Sequence, residues 1–126
     1  MTDLGPIMSA EFCAARLSAM TAWPGTAVYL LWDIAKDKPV YCGTANSKSR
    51  LKAHLAKDDL RNGPVGKTMV NPELQAYCLA QPKGWLGVQF KMFPSEQEAR
   101  LAEQRVISIH GIRKLGGLLY NQRMGG

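Results

Sequence analysis

Two apolar segments separated by only five residues constrain the fold of this chain more than any other feature. Residues 27–33 (AVYLLWD) and 39–43 (PVYCG) combine aliphatic and aromatic side chains, which favour strands. A parallel pair would need a crossover of roughly a dozen residues or more, so the two segments must form an antiparallel hairpin. With the connection centred on Ala35, we expect Tyr29 directly across from Tyr41, on the same face of the sheet.

The rest of the chain predicts helices and one further strand around this hairpin. Residues 85–93 alternate along the chain with the period of a strand that buries one side. Residues 117–122 form a short closing segment. Periodicity and capping residues predict helices at residues 9–20, 46–57, 72–80 and 95–110. We therefore predict an α+β fold in which a small three-stranded antiparallel sheet, made of the hairpin and the later strand, is flanked by helices.

Charge and cysteine content narrow the classes of function. The chain has 126 residues, enough for one compact domain, and a net charge of +6. Residues 47–70 hold six Lys or Arg against two Asp or Glu, which indicates either a polyanionic partner or a solvated helix face. The three cysteines have no zinc-ligand or disulfide spacing, and no signal peptide or membrane-spanning run is present. We therefore expect a cytoplasmic protein with no membrane partner.

One segment resembles a phosphate-binding loop without satisfying its pattern. Residues 63–68 read GPVGKT, but the loop needs a glycine at the position of Arg61. No buried strand is predicted before this segment. We therefore do not expect nucleotide triphosphate binding.

Glu103 is the most informative single residue on the last helix. It neighbours Ala99, Ala102 and Val106, which are expected to face the core. A carboxylate near that face must be paired, hydrogen-bonded or bound to a metal. The helix alone favours a simpler arrangement, in which Glu103 lies on the helix edge and reaches water or pairs with a nearby arginine. Taken singly, Tyr29 and Tyr41 are packing residues and Arg50 and His54 are polar helix residues.

Taken in order, these residues resemble the GIY-YIG nuclease family. Val28-Tyr29-Leu30 stands for the first signature tripeptide and Tyr41-Cys42-Gly43 for the second. Residues 50–54 match the R-x-x-x-H/Y pattern, and residues 98–103 match the e-A-x-x-x-E helix. Residues 119–121 resemble the closing aromatic-Asn element. Leucine and cysteine replace isoleucine in the two tripeptides, and valine replaces another apolar residue.

The resemblance covers roughly residues 25–122 and implies a domain organisation. It indicates that residues 1–126 form a single GIY-YIG-like nuclease domain. Residues 1–24 would be an N-terminal helical extension, and residues 58–84 would be an insertion. The family pattern does not describe these two segments, so we expect substrate choice to depend on them.

The resemblance also implies a chemistry. The chain would be a metal-dependent endonuclease that hydrolyses nucleic acid, with DNA expected, by one-metal in-line attack of water. Glu103 would hold Mg²⁺ or Mn²⁺, and Arg50 would bind a phosphate oxygen. Tyr41, with Tyr29 beside it, is the favoured base, with His54 as the alternative or as a residue that orients the tyrosine. Asn121 would support the site by hydrogen bonding.

Binding residues and two alternative functions complete the expectations from sequence. Lys48, Lys52 and Lys57 would contact backbone phosphates. One alternative function is a catalytically inactive nucleic-acid-binding module on the same scaffold, and the other is a basic adaptor for an acidic protein. A homodimer would allow two cuts on a duplex, and the sequence does not decide the oligomeric state.

Overall fold

A computed structural model of the chain describes residues 4–62 and 71–122. Side chains are described throughout these ranges except at residues 61 and 62. The phosphate-loop segment at residues 63–68 and part of the predicted insertion at 58–84 therefore lie outside the described residues. In chain order the elements are β1 (Met8–Ser9), α1 (Ala10–Ala19), β2 (Thr26–Asp33), β3 (Lys38–Ala45), α2 (Lys48–His54), a 3-10 helix (Leu55–Asn62), α3 (Pro72–Leu79), β4 (Leu86–Phe93), α4 (Glu96–His110) and a 3-10 turn (Arg113–Leu115).

The sheet has four antiparallel strands in the order β1-β4-β2-β3, which corrects the prediction of three. The additional strand, β1, has two residues, and it pairs Met8 with Val88 and Ser9 with Gly87. A two-residue strand is too short to show the alternation by which strands are recognised in a sequence. The α+β class, the hairpin and the later strand are confirmed.

The register of the hairpin differs from the prediction. Tyr29 pairs with Gly43, and Tyr41 pairs with Leu31, so the two tyrosines are not directly across from each other. The register shifts between Leu31 and Trp32, where the pairing passes from Tyr41 to Pro39. Tyr41 lies two residues from Gly43, the partner of Tyr29, and side chains two residues apart on a strand point to the same face. Tyr29 and Tyr41 therefore still share a face of the sheet. The shift places a glycine beside the Tyr29 ring.

Helices cover both faces of the sheet. On one face, α4 buries Ala102 and Val106 against Val28 and Leu30 of the central strand. On the other face, α1, α2 and α3 pack on a cluster that includes Tyr29 and the neighbouring strand residues. Burial on both faces explains why β2 is apolar along nearly its whole length.

The four α-helices among the described residues are seven to fifteen residues long, and each begins at a polar side chain that caps it. Each capping oxygen accepts a hydrogen bond from a backbone N–H three residues on, an interaction worth about 1 kcal/mol per helix. The capping residues are Ser9 for α1, Ser47 for α2, Asn71 for α3 and Ser95 for α4. The predicted helix at 46–57 is shorter than expected, because α2 ends at His54 and the chain continues as the 3-10 helix. Within the described ranges, no helix is long and apolar enough to cross a membrane.

Candidate active site

The Tyr29 ring lies across Gly43 of the neighbouring strand. A Cβ atom added at Gly43 would lie 2.5 Å from Oη and 2.7 Å from Cζ of Tyr29. Both distances are well below van der Waals contact, so only glycine leaves room for the ring in this position. Tyr29 is 2% exposed, and its hydroxyl group is directed over β3 towards α2.

His54, at the end of α2, is hydrogen-bonded to the Tyr29 hydroxyl group. Tyr29 Oη and His54 Nε2 are 2.9 Å apart, and the two ring centroids are 4.8 Å apart. The other imidazole nitrogen, Nδ1, lies 2.8 Å from Nζ of Lys57. Buried Leu51 anchors α2 on the sheet and so holds His54 at this distance. A continuous hydrogen-bonded chain therefore runs from Tyr29 through His54 to Lys57.

Burial and neighbouring charges keep Tyr29 and His54 neutral near pH 7. Burial raises the pKa of Tyr29 well above its ordinary value, and nearby Tyr41, Cys42 and Glu103 raise it further, while Arg50 lowers it. Burial lowers the pKa of His54 to about 3, with further lowering by the positive charges of Lys57 and Arg50. The pair is therefore a phenol and a neutral imidazole.

Glu103 is a buried carboxyl group on α4. Its side chain is 1% exposed, and among the described residues its buried Oε1 atom has no hydrogen-bond partner. Burial raises the pKa of Glu103, and the charge of Arg100 opposes this. Arg100 itself pairs with Glu96 at 2.8 Å on the exposed side of the helix. A carboxyl oxygen buried in this way is destabilising unless a cation or donor reaches it.

Arg50 and Tyr41 are the other predicted site residues near Tyr29. Arg50 is exposed on α2, and its positive charge lowers the pKa values of both Tyr29 and His54. The Tyr41 ring is partly buried, with its centroid 6.4 Å from that of Tyr29.

Asn121 holds the outer edge of β3 between Tyr41 and Gly43. Its Oδ1 accepts a hydrogen bond from the Cys42 N–H at 2.9 Å, and its Nδ2 donates to the Cys42 carbonyl at 2.7 Å. Asn121 is 2% exposed, and the preceding Tyr120 N–H donates to the Val40 carbonyl at 2.7 Å. Asn121 therefore sets the backbone of the second signature tripeptide.

The structure brings Tyr29, Tyr41 and His54 together on one face of the sheet, through a hydrogen bond and ring contacts. Arg50, on α2, acts on Tyr29 through its charge from this same side. Glu103 belongs to α4, which covers the opposite face of the sheet, and only its charge acts on Tyr29. Asn121 contacts only the backbone of Cys42 in the hydrogen bonds described above. Whether these residues carry out catalysis stays a prediction.

The three predicted phosphate-binding lysines have different surroundings. Lys52 is exposed on α2. Lys48 is partly buried and donates to the Met20 carbonyl at 2.9 Å, at the end of α1. Lys57 is partly buried beside His54. Phosphate contact by these residues stays a prediction, and Lys52 is the one of the three that faces solvent.

A shallow pocket near the candidate site was not expected from the sequence. Its volume is about 500 Å³, and it lies beside the Tyr77 and Tyr120 rings, whose centroids are 5.1 Å apart. Arg113 covers the Tyr120 ring and Lys38 covers the Tyr77 ring. Tyr120 belongs to the closing motif identified in the sequence, since it precedes Asn121. Tyr77 and Arg113 belong to distant segments that only the fold brings together.

One residue of the predicted site, Glu103, has an oxygen atom that could be a ligand for a divalent cation. Among the described residues, no group of three His, Cys, Asp or Glu side chains could hold a metal ion. Mg²⁺ does not require such a group, since it often binds one carboxylate and takes its other oxygen ligands from water and substrate. The unpartnered Oε1 of Glu103 is a suitable single protein ligand.

Comparison of the chain with protein-family models, with curated proteins and with solved structures gives no match. The family resemblance therefore depends on the sequence motifs alone.

Proposed function

We propose that this chain is a metal-dependent endonuclease of the GIY-YIG class that hydrolyses phosphodiester bonds in nucleic acid, with DNA as its substrate. The observation that carries the proposal is the buried, unpartnered carboxyl oxygen of Glu103, whose charge acts on a tyrosine hydrogen-bonded to a histidine. A fold has no structural reason to bury such an oxygen, because it lowers the free energy of unfolding.

Glu103 would hold Mg²⁺ or Mn²⁺ through its carboxylate. When bound, the cation would polarise the scissile phosphate and offset its negative charge. Metal binding requires the ionised carboxylate, and the raised pKa of Glu103 therefore predicts that metal affinity increases with pH. Arg50 would bind a non-bridging phosphate oxygen, since a guanidinium group suits the planar geometry of that contact.

Tyr29, assisted by His54, would accept the proton of the attacking water. The hydrogen bond to His54 supports Tyr29 in this role over Tyr41, which was favoured from the sequence. Tyr29 must first lose its own proton to water or hydroxide of the solvent, and burial opposes this loss. The positive charge of Arg50 favours the phenolate, and neutralising Glu103 would remove one contribution that opposes it. Asn121 would keep Tyr41 and Gly43 in place through the Cys42 backbone.

Cleavage of a supercoiled plasmid and of an RNA, each with Mg²⁺ or with EDTA, tests the proposal. We expect the wild-type chain to cut with Mg²⁺ only, and Glu103→Gln and Arg50→Ala to be inactive while melting like folded proteins. Glu98→Gln is the matched control, because this carboxylate is exposed on the same helix. Full Mg²⁺-dependent activity of Glu103→Gln would overturn the assignment of the metal ligand. Binding without cleavage by the wild-type chain would support the alternative, an inactive binding module.

A further inference from the structure

The surroundings of Lys57 differ from those of a surface lysine. Its side chain is partly buried, and its Nζ atom lies 2.8 Å from Nδ1 of His54. Burial lowers the pKa of Lys57, and neighbouring Cys78 opposes this. Removing an ammonium group from water is unfavourable, so a lysine in this position requires compensation from its contacts. Its contact with His54 is therefore part of what holds it there.

The fold fixes the backbone of Lys57 against the start of β4. The Lys57 carbonyl accepts a hydrogen bond from Trp85 Nε1 at 3.0 Å. The adjacent Asp58 carboxylate accepts from the N–H groups of Gly84 at 3.1 Å and Leu86 at 2.9 Å. These contacts hold the first part of the 3-10 helix, so the approach of Lys57 to the imidazole is set by the tertiary structure.

The chemistry of an ammonium group decides which nitrogen of His54 carries the proton. A charged lysine has three donors and no acceptor, so Nδ1 of His54 must offer its lone pair. In a neutral imidazole the proton then sits on Nε2. With that proton, His54 would donate to the Tyr29 hydroxyl oxygen, which lies 2.9 Å from Nε2.

We propose that Lys57 is a positioning residue that fixes the tautomer of His54, so that Nε2–H donates to Tyr29 Oη and favours the phenolate that accepts the proton from water. The proposal rests on the proposed nuclease function. In the phenolate form, the oxygen of Tyr29 would have a fixed N–H donor with an ammonium group behind it. Without Lys57, Nε2 of the other tautomer would instead accept a hydrogen bond from the Tyr29 hydroxyl group, which favours the neutral phenol.

Other charged or titratable groups face the three residues from every element packed on them. Arg50 of α2 acts on both His54 and Tyr29. Tyr41 and Cys42 of β3 and Glu103 of α4 act on Tyr29, and Cys78 of α3 acts on Lys57. All of these groups stay unchanged in a Lys57 variant, so a shift in the pH profile would report the loss of the lysine itself.

The rate test compares Lys57→Met, which removes the donor and the charge, with Lys57→Arg, which keeps both. Lys114→Met is the control, because Lys114 is an exposed lysine of the 3-10 turn that has no assigned part in the site. We expect Lys57→Met to cut about 10²-fold more slowly, the size of a general acid–base contribution. Its rate should rise at higher pH than that of the wild type, and Lys57→Arg should recover most of the rate. Equal losses in Lys57→Met and Lys57→Arg, with an unshifted pH profile, would overturn the proposal.

A second measurement does not depend on nuclease activity. Nitrogen-15 NMR of the imidazole ring reports which nitrogen of His54 is protonated, and a His110→Gln variant assigns the two histidines. We expect protonation at Nε2 in the wild-type chain and in Lys57→Arg, and a loss of this preference in Lys57→Met. A wild-type His54 protonated at Nδ1 would refute the positioning role whether or not the chain cuts. The expected tautomer in a chain that never cuts would instead refute the nuclease function alone.

Discussion

Gly43→Ala would displace the hydroxyl group on which the candidate site depends. The new methyl group would lie 2.5 Å from Tyr29 Oη, where ordinary contacts begin at 3.4 Å, so the ring must move by about 1 Å. The ring is buried between the sheet and α2 and cannot rotate into solvent. The displacement should therefore break the 2.9 Å contact with His54.

Two measurements follow from this displacement. Overpacking a buried site is destabilising by about 1–3 kcal/mol, and the Gly→Ala change offsets about 0.4–1 kcal/mol by restricting the unfolded chain. The net loss of about 1–2 kcal/mol corresponds to a melting temperature lower by roughly 4–8 °C for a chain of this size. A misplacement of about 1 Å in a catalytic group lowers the rate by on the order of 10²-fold.

Gly87→Ala is the matched control for Gly43→Ala. It also adds a methyl group to a strand, but this group would meet the side chains of Ile34 and Ile7. Ile7 is 43% exposed and Ile34 is 45% exposed, so these side chains can shift towards solvent without moving the Tyr29 ring. We expect Gly87→Ala to cleave DNA at the wild-type rate. A Gly43→Ala variant with wild-type melting and wild-type cleavage would show that the Tyr29 ring is not held as described.

Three further predictions test the charges and hydrogen bonds of the molecule. Glu103→Gln should raise the melting temperature at pH 8 and leave it nearly unchanged at pH 4. The reason is that a buried carboxyl group with a raised pKa is destabilising only above its ordinary titration range. Equal shifts of the melting temperature at both pH values would contradict this. Tyr77→Phe removes the phenol that donates to the buried Asp33 carboxylate and should lower the free energy of unfolding by about 1–3 kcal/mol, measured by denaturant titration; an unchanged midpoint would argue against it. Lys52→Ala should weaken DNA binding equally for all sequences, reduce the slope of log affinity against log salt concentration by about one, and leave the melting temperature unchanged. Lys48→Ala should also lower the melting temperature, because Lys48 donates to the Met20 carbonyl. An unchanged slope in both variants would count against phosphate contact.

Local signals in the sequence were sufficient for most elements of the fold. Ser95 and Glu98 place the start of α4, because a capping side chain acts on a backbone N–H only three residues away. The hairpin follows from its short connection in the same way. The position of Glu103 among apolar neighbours of α4 likewise indicated a carboxyl near the core, and the structure buries it.

Features that depend on distant residues could not be predicted. The strand β1 forms because Met8 and Ser9 meet β4, nearly eighty residues later in the chain. The register between Tyr29 and Gly43 depends on a shift farther along the hairpin, which the length of the connection does not reveal. Lys57 lies one turn beyond His54 on any helix, but its contact with the imidazole depends on the Trp85 hydrogen bond to its carbonyl.

The hydrogen bonds from Tyr120 and Asn121 to β3 have a consequence for self-association. β3 is the last strand of the sheet, and its outer N–H and C=O groups would otherwise be open to pairing with another chain. The amide of Asn121 satisfies both backbone groups of Cys42, as a neighbouring strand would. Removing residues 119–122 should therefore expose the backbone groups of this edge strand, and the shortened protein should aggregate by pairing β3 with a strand of another copy.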